Sequence, residues 1–105
     1  MRIQGRNISM IRGDSETFTV RCRQIPFERG DTVYLTVRED AESEIALQKV
    51  VTEFDDEGRA VIGIDPGDTE GLEFGDYVYD VQLTRADGTV TTLVPMARFR
   101  LEEEV

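Results

Sequence analysis

Apolar and polar residues alternate with a period of two along most of this chain. The alternation runs from Phe18 to Arg23, from Val33 to Arg38, from Tyr77 to Thr84 and from Arg98 to Leu101. Successive side chains of a β-strand point to opposite faces, so each run predicts a strand with one buried and one solvated face. No long window carries a clean helical period, and the chain is therefore predicted to be all-β.

Clusters of turn-forming residues separate these runs. They lie at residues 12–14, 28–31, 55–58, 65–68 and 86–88, and each contains a glycine and an aspartate. Turns at such intervals are typical of antiparallel sandwiches. The pattern predicts an antiparallel, immunoglobulin-like β-sandwich of about seven to eight strands. The length of 105 residues fits a single domain spanning residues 1–105.

Two segments have some helical character. Helix-favouring residues fill the stretch from Asp40 to Lys49, but the β-branched Val50 and Val51 follow at once. This order favours a turn that enters a strand at Ile45. A single short turn of helix is predicted from Asp68 to Phe74.

The charge balance limits the classes of partner. The chain carries 22 acidic and 12 basic residues, for a net charge of −10. Nucleic-acid binding depends on lysine and arginine neutralising phosphates, and anionic membranes also attract basic surfaces. We therefore expect neither a nucleic-acid partner nor a membrane partner.

Catalytic groups are scarce. The chain has no histidine and a single cysteine, Cys22, which is predicted to be a small buried hydrophobe on the strand that begins at Phe18. A cysteine nucleophile would need a histidine base or strong local activation. The sequence predicts a non-enzymatic protein without a cofactor. The first ten residues contain no apolar signal region, so no secretion signal is expected.

The tripeptide Arg12-Gly13-Asp14 matches the integrin-binding signal of adhesive proteins. Apolar residues occupy alternate positions both before and after the tripeptide, so a chain reversal is expected between these two segments. A match of three residues also has a high false-positive rate. We interpret the tripeptide as a turn between strands.

Acidic turn residues raise the question of calcium. Oxygen ligands cluster on two loops, and the weak calcium candidates there are Asp55, Asp56, Asp65 and Asp68. Neither loop has the spacing of an EF-hand, and the same residues are good turn formers, with Asp68 or Thr69 able to cap a short helix. No metal site is predicted. Carbohydrate binding would need exposed aromatic platforms, and only Tyr34 lies on an outward phase.

A tyrosine pair and a hairpin are the most specific structural features. Immunoglobulin-like sandwiches carry a tyrosine near the start of strand F whose hydroxyl bonds to the backbone upstream, with an inward residue two positions later. After Gly75, Tyr77 is placed for the first role and Tyr79 for the second. Asp87 and Gly88 tolerate positive φ, so they predict a tight hairpin turn.

These segments resemble a known family. "IRGDSETFTV", "DTEGLEFGDYVYDVQL" and "ADGTVTTL" are similar to small tail-associated proteins of bacteriophages and prophages, in particular to the N-terminal immunoglobulin-like domain of phage baseplate upper proteins. The block from Gly75 to Leu83 and the hairpin that follows it are the most specific parts. The resemblance implies a β-sandwich with a structural role in a virion and no catalysis.

The function expected from this resemblance is a structural module of a phage or prophage tail or baseplate. Its partners would be other phage structural proteins or further copies of itself, in the virion or the host cytoplasm. The last five residues, from Leu101, are predicted to form a solvated end or to extend the last strand into a partner. The alternative is a host-recognition module that depends on calcium or carbohydrate, which would require the acidic loops to converge at one end of the sandwich.

Overall fold

The computed structural model describes residues 1–22 and 26–103. It contains eight strands and one short helix: β1 (Arg2–Gln4), β2 (Asn7–Ile11), β3 (Glu16–Val20), β4 (Thr32–Arg38), β5 (Ile45–Val51), β6 (Ala60–Ile64), α1 (Pro66–Glu70), β7 (Gly75–Thr84) and β8 (Val90–Glu102). The all-β prediction is confirmed, and so is the turn that enters a strand at Ile45.

The strands form two sheets of unequal size. The large sheet has six strands in the order β1-β2-β8-β7-β4-β5, and the small sheet consists of β3 and β6 alone. The prediction of a purely antiparallel fold is wrong at one pairing, because β2 runs parallel to β8 from Ile8–Phe99 to Ile11–Glu102. After β2 the chain turns away into the small sheet, and the C-terminal strand later fills the place beside it. Alternation in the sequence indicates on which face of the sheet a side chain lies. It does not indicate whether the neighbouring strand runs parallel or antiparallel.

The core lies between the inner faces of the two sheets. Side chains at alternate positions of β4, β7 and β6 point into it, as their period of two predicts. The fully buried side chains include Val33, Leu35 and Val37 of β4, Val81 and Leu83 of β7, Ile62 and Ile64 of β6, Phe99 and Leu101 of β8, and Ile8 and Met10 of β2.

The last strand is longer than its sequence pattern indicates. β8 spans 13 residues, so it begins soon after the Asp87–Gly88 turn and includes the alternating run from Arg98 to Leu101. Pro95 lies between them and has no N–H to donate to the ladder. Its pairing with β7 shifts register on both sides of Val81, which is how a sheet accommodates such a residue.

The strand predicted from Phe18 to Arg23 is shorter in the structure, because β3 ends at Val20. Cys22 therefore follows the strand and is half-buried at the margin of the core, so the prediction of a fully buried cysteine is wrong. Arg23 lies outside the described residues, as do the last two residues of the predicted C-terminal end.

The helix begins earlier than predicted. α1 spans Pro66–Glu70 with Asp65 as its N-cap, whereas the sequence suggested Asp68 to Phe74. Proline has its φ preset for the first helical position, so Pro66 fixes the start. Asp68 is the third residue of the helix, and its carboxylate accepts the N–H of the N-cap Asp65, so Asp68 takes part in the N-terminal cap as predicted, whereas Thr69 lies inside the helix. No helix within residues 1–22 and 26–103 is long and apolar enough to cross a membrane.

Candidate interaction surfaces

The first calcium candidates, Asp55 and Asp56, lie in the turn between β5 and β6. The Asp55 carboxylate accepts hydrogen bonds from the Arg59 backbone N–H at 2.9 Å and from Arg59 Nε at 2.8 Å. The bond from the Arg59 backbone is the main reason that the pKa of Asp55 is lowered. Asp56 is exposed. Asp55 thus shapes the turn, and its oxygens are already engaged by this chain.

The second pair, Asp65 and Asp68, organises the start of α1. The Asp65 N–H donates to the Asp68 carboxylate at 2.8 Å, and Lys49 Nζ of β5 lies 2.9 Å from the same oxygen. Burial by itself raises the pKa of Asp68, but the Asp65 N–H and the Lys49 ammonium outweigh it and lower the pKa. Asp68 therefore connects β5 to the segment after β6.

The two acidic loops do not converge. Residues 55–56 precede β6 and residues 65–68 follow it, so the loops lie at opposite ends of a five-residue strand. At roughly 3.3 Å per residue, that strand separates them by more than 10 Å. Within the described part of the chain, no three His, Cys, Asp or Glu residues are grouped so that they could hold a metal ion. The geometry expected of the calcium alternative is not formed.

The Arg-Gly-Asp tripeptide forms a turn between β2 and β3, as predicted. Gly13 has a φ of 86° and its N–H donates to Thr69 Oγ1 at 2.8 Å. Arg12 Nη1 donates to the Leu72 carbonyl at 3.0 Å, and the guanidinium carbon lies 4.3 Å from the centroid of the Phe74 ring. These contacts hold the arginine against the end of α1, which is not the display at a loop tip that integrin binding requires.

Tyr77 and Tyr79 both point into the core from β7. The Tyr77 hydroxyl donates to the Glu73 carbonyl at 2.8 Å, and the Tyr79 hydroxyl donates to the Arg6 carbonyl. Burial is the main cause that raises the pKa of each phenol, with Glu39 and Glu73 adding to it at Tyr77 and Arg6 opposing it at Tyr79. Both hydroxyls therefore remain protonated donors.

Gly75 and the hairpin turn at Asp87 and Gly88 have local roles. Gly75 begins β7 with a φ of 137°, a conformation that side chains rarely adopt. In the predicted hairpin the Arg85 N–H donates to the Thr89 carbonyl at 2.8 Å. Only Gly88 has positive φ there, at 91°, so the expectation of positive φ at Asp87 is wrong. Asp87 instead accepts the Thr89 N–H at 2.9 Å, which holds the turn through its side chain.

One important carboxylate was not singled out from the sequence. Asp31 is buried, pairs with Arg85 Nη1 at 2.7 Å and accepts the Glu28 N–H at 2.9 Å and the Ala86 N–H at 3.3 Å. It ties the turn before β4 to the β7–β8 hairpin. In the sequence Asp31 follows a glycine, as several turn aspartates do. Its role becomes clear only from its contacts with the β7–β8 hairpin in the structure.

The outer face of the large sheet is polar. The Tyr34 hydroxyl lies 3.3 Å from Thr84 Oγ1, and Gln48 Nε2 donates to Thr36 Oγ1 at 3.0 Å. Tyr34 is half-buried among these neighbours. It packs across strands, and it does not form the flat exposed platform that a sugar ring stacks on.

The inner face of the large sheet is not covered evenly. On β6 the inward side chains of Ala60, Ile62 and Ile64 are at most 1% exposed. On β3 the inward side chains of Phe18 and Val20 are only half-buried. β6 packs against β5 on one side and pairs with β3 on the other. The small sheet is therefore closed along β6 and open along β3.

An apolar cleft follows the open side of the small sheet. We call it the β3 cleft; it has a volume of about 300 Å³, and its walls include Ile3, Phe18, Val20, Arg21, Tyr79 and Val94. Apart from its pairing with β6, β3 makes no backbone hydrogen bond to the residues that the structure describes. The cleft thus combines an apolar floor with a free strand edge.

The charge around the β3 cleft is opposite in sign to that of the molecule. Among the described residues that line the cleft, Arg21 is the only cation and none is acidic, and the charge of Arg6 acts on the phenol of Tyr79, whose pKa it lowers. No carboxylate within residues 1–22 and 26–103 forms an ion pair with either arginine. The cleft is locally positive in a chain with a net charge of −10.

Comparison with known proteins returned no matching family model, no matching curated protein and no matching solved structure.

Proposed function

We propose that this chain is a non-enzymatic structural module of a bacteriophage or prophage tail or baseplate, built on an immunoglobulin-like sandwich and acting through protein–protein contacts. The resemblance of the segments around the Arg-Gly-Asp turn, β7 and the β7–β8 hairpin to phage tail proteins motivates the biological setting. The partners are other structural proteins of the same particle.

The order of the strands supports the immunoglobulin-like part of the proposal. In immunoglobulin sandwiches strands G, F and C share one sheet, which strand C′ extends in variable-type domains, while B and E lie in the other. β8, β7, β4 and β5 follow the order G-F-C-C′, and β3 pairs with β6 as B pairs with E. The Tyr77 hydroxyl bonds to a carbonyl four residues upstream, which is the contact of a tyrosine corner.

The observation that carries the assembly function is that two of the terminal strands, β3 and β5, have exposed edges. β3 has the cleft beside it, and β5 is a seven-residue strand at the edge of the large sheet with Ile45 and Val50 about half exposed. An exposed strand edge is a template for pairing with another chain, and proteins that act alone usually block it. The open edge of β3 beside its cleft and the exposed seven-residue edge of β5 together favour a protein whose place is inside a larger assembly.

The polar groups of the molecule are used to hold the sandwich together. Asp31 is bonded to Arg85, Asp55 to Arg59 and Asp68 to Lys49, and each of these pairs fixes a turn or joins two elements. Each of these carboxylates therefore has a structural role, which supports a non-enzymatic module.

The proposal is tested on particles released after prophage induction from a host that carries this gene. Quantitative mass spectrometry of gradient-purified particles is expected to find the chain at a fixed ratio to the tail proteins. A matched control is the same host with its major tail gene deleted, in which the chain should remain in the soluble fraction. Finding the chain only in the soluble fraction of the intact strain would contradict the proposal.

Size-exclusion chromatography with light scattering separates the proposal from the calcium alternative. We expect the mass and the melting temperature of the purified protein to be the same with calcium and with chelator, because the acidic loops lie apart. A melting temperature that rises with calcium concentration would show binding to the folded state and would favour the host-recognition module.

A further inference from the structure

We infer that the β3 cleft is an acceptor site for one extended segment of a partner protein, which adds a strand to the free edge of β3. The segment carries apolar residues at alternate positions and a carboxylate that meets Arg21. This inference rests on the proposed assembly function and specifies the surface and the kind of partner that the assembly uses.

The width of the two sheets leaves room for an added strand. Neighbouring strands lie about 4.8 Å apart, so two strands span roughly 10 Å while six span nearly 30 Å. The small sheet therefore cannot cover the inner face of the large one. On the β5 side that face is closed by β6, whose inward side chains are fully buried. The uncovered part lies on the other side, where the β3 cleft is found.

The alternation of apolar and polar side chains along β3 defines the sequence pattern of the incoming strand. Phe18 and Val20 face inward beside the cleft, whereas Thr17, Thr19 and Arg21 point to solvent on alternate positions. A strand paired with β3 has the same alternation, since facing residues of paired strands share a face. Its inward residues would fill the cleft against Ile3 and Val94, and its outward residues would be polar.

The charge at the cleft selects among segments with this pattern. Arg21 lies at the rim and the Arg6 carbonyl accepts the Tyr79 hydroxyl, while no acidic side chain lines the cleft within residues 1–22 and 26–103. An acidic residue on the incoming strand would therefore meet a complementary charge. A second copy of this chain carries a net charge of −10 and would be repelled as a whole, so a different chain is favoured as the partner.

The other free edge does not have the same features. β5 presents backbone groups to solvent, but its inward residue Leu47 is 9% exposed and β6 packs beside it. A strand added to β5 would gain backbone hydrogen bonds without burying an open part of the core. A strand added to β3 gains both, which is the combination that gives strand addition its affinity and its specificity.

The inference is tested with isotope-labelled full-length protein and a short synthetic peptide. The probe is an acetylated and amidated peptide of alternating valine and threonine with glutamate at both ends. In NMR titrations we expect chemical-shift changes at Thr17–Arg21, Ile3, Tyr79 and Val94, and unchanged signals for β5. Changes confined to β5, or no change at millimolar peptide, would overturn the inference.

Charge exchange tests the role of Arg21. The R21E variant is expected to bind the glutamate peptide about fivefold more weakly, as an exposed ion pair is worth up to about 1 kcal/mol. A peptide with lysine at both ends should bind R21E more tightly than it binds the wild type. The matched control is R98E on the outer face of β8, which should bind both peptides as the wild type does. Equal loss in both variants would overturn the assignment of Arg21.

A substitution on the floor of the cleft provides a second, independent test. V94K places an ammonium group in the cleft and should abolish peptide binding, whereas V61K, on the outward face of β6, should leave it unchanged. Melting temperatures of both variants verify that they are folded. Chemical-shift changes at β3 that appear on raising protein concentration without peptide would identify a second copy as the occupant and would overturn the inference.

Failure of the inference and failure of the proposed function can be told apart. If wild-type protein enters particles and V94K enters them equally well, the tail function stands and the acceptor site is wrong. If V94K is excluded from particles while V61K is incorporated, both stand. If wild-type protein never enters particles although the peptide binds at β3, the site stands without the tail setting.

Discussion

β3 and β6 are partners in one small sheet, yet they differ in how completely their inward side chains are buried. The inward residues of β6 are at most 1% exposed, whereas Phe18 and Val20 of β3 are half-buried. The pairing between the two strands is regular over five residues, so hydrogen bonding within the sheet does not explain the difference. The neighbours explain it: β6 lies beside β5, and β3 lies beside the β3 cleft.

This contrast shows that one of two facing sheets can be incomplete while most of the core between them is well packed. The closed side has a continuous core and an ion pair, Lys49–Asp68, that joins β5 to the segment after β6. On the open side, an ion pair joins the amino terminus of Met1 to the Glu16 carboxylate at the start of β3, at a distance of 2.6 Å. Stability is thus expected to depend on the closed side, and contact with partners on the open side.

The largest expected effect is on the closed side. The substitution Ile62→Ala removes a side chain with 0% exposure and leaves a cavity between the sheets. We expect it to lower the free energy of unfolding by about 3 to 4 kcal/mol. Urea denaturation followed by circular dichroism measures this change. A loss below about 1 kcal/mol would mean that the closed side is not packed as described.

A smaller effect is expected for the larger side chain on the open side. Phe18→Ala removes more atoms than Ile62→Ala, but the phenyl ring borders the cleft, and solvent already reaches part of it. We expect a loss of about 2 kcal/mol, because less apolar surface is returned to water and the cavity opens to solvent. The same denaturation experiment provides the comparison, and a loss at Phe18 that exceeds the loss at Ile62 would reverse the contrast.

A buried hydroxyl tests how the turn before β3 is anchored to the closed side. Thr69 is fully buried, and its Oγ1 accepts the Gly13 N–H at 2.8 Å. The isosteric substitution Thr69→Val keeps the volume but leaves the N–H without its acceptor, and we expect it to lower stability by about 1 kcal/mol. Thr19→Val, on an exposed outward position of β3, is the matched control and should change stability by less than about 0.5 kcal/mol.

The smallest expected effect depends on pH. The pKa of Asp68 is lowered from its ordinary value of 3.8, because the contacts with the Asp65 N–H and Lys49 outweigh burial. A lowered pKa in the folded state stabilises the fold above the unfolded-state pKa, and that contribution is lost as the pH falls through the folded-state pKa. Asp68→Asn should therefore cost roughly 0.5 to 1 kcal/mol at pH 7.

The pH dependence separates this contribution from packing. The difference in stability between wild type and Asp68→Asn should shrink as the pH falls from 3.8 through the lowered pKa of the folded state, because the wild-type carboxylate then also becomes protonated. Thermal denaturation over a series of pH values measures the difference. A difference that stays constant down to the acid limit would assign the effect to packing.

Much of the fold could be predicted from alternation because faces and strand positions are local properties. The runs from Val33 and from Tyr77 became β4 and β7, and the Asp87–Gly88 segment became a hairpin. The parallel pairing of β2 with β8 could not be predicted, since it joins residues that are some 90 positions apart. The early start of α1 followed from Pro66, whose preference for the first helical position outweighed the propensity of the residues after it.

The site was less predictable than the fold. The acidic loops contain the weak calcium candidates because aspartate oxygens can bind calcium. Their positions at the two ends of β6 follow only from the fold. The β3 cleft has no motif, since Phe18, Val20 and Val94 are ordinary strand residues. The cleft exists because the two sheets have different numbers of strands. The assignment of strands to sheets cannot be read from a single sequence.

The most direct test of the contrast is residue-resolved amide hydrogen exchange by NMR at a concentration where light scattering shows a monomer. In β3 we expect amides that face the cleft to exchange at least about tenfold faster than those that face β6. In β6 the amides that pair with β3 should exchange slowly, and its other amides should exchange more slowly than those on the cleft side of β3, since β5 packs beside them. Uniformly slow exchange along Thr17–Val20 in the monomer would show that the edge is already covered and would contradict the account.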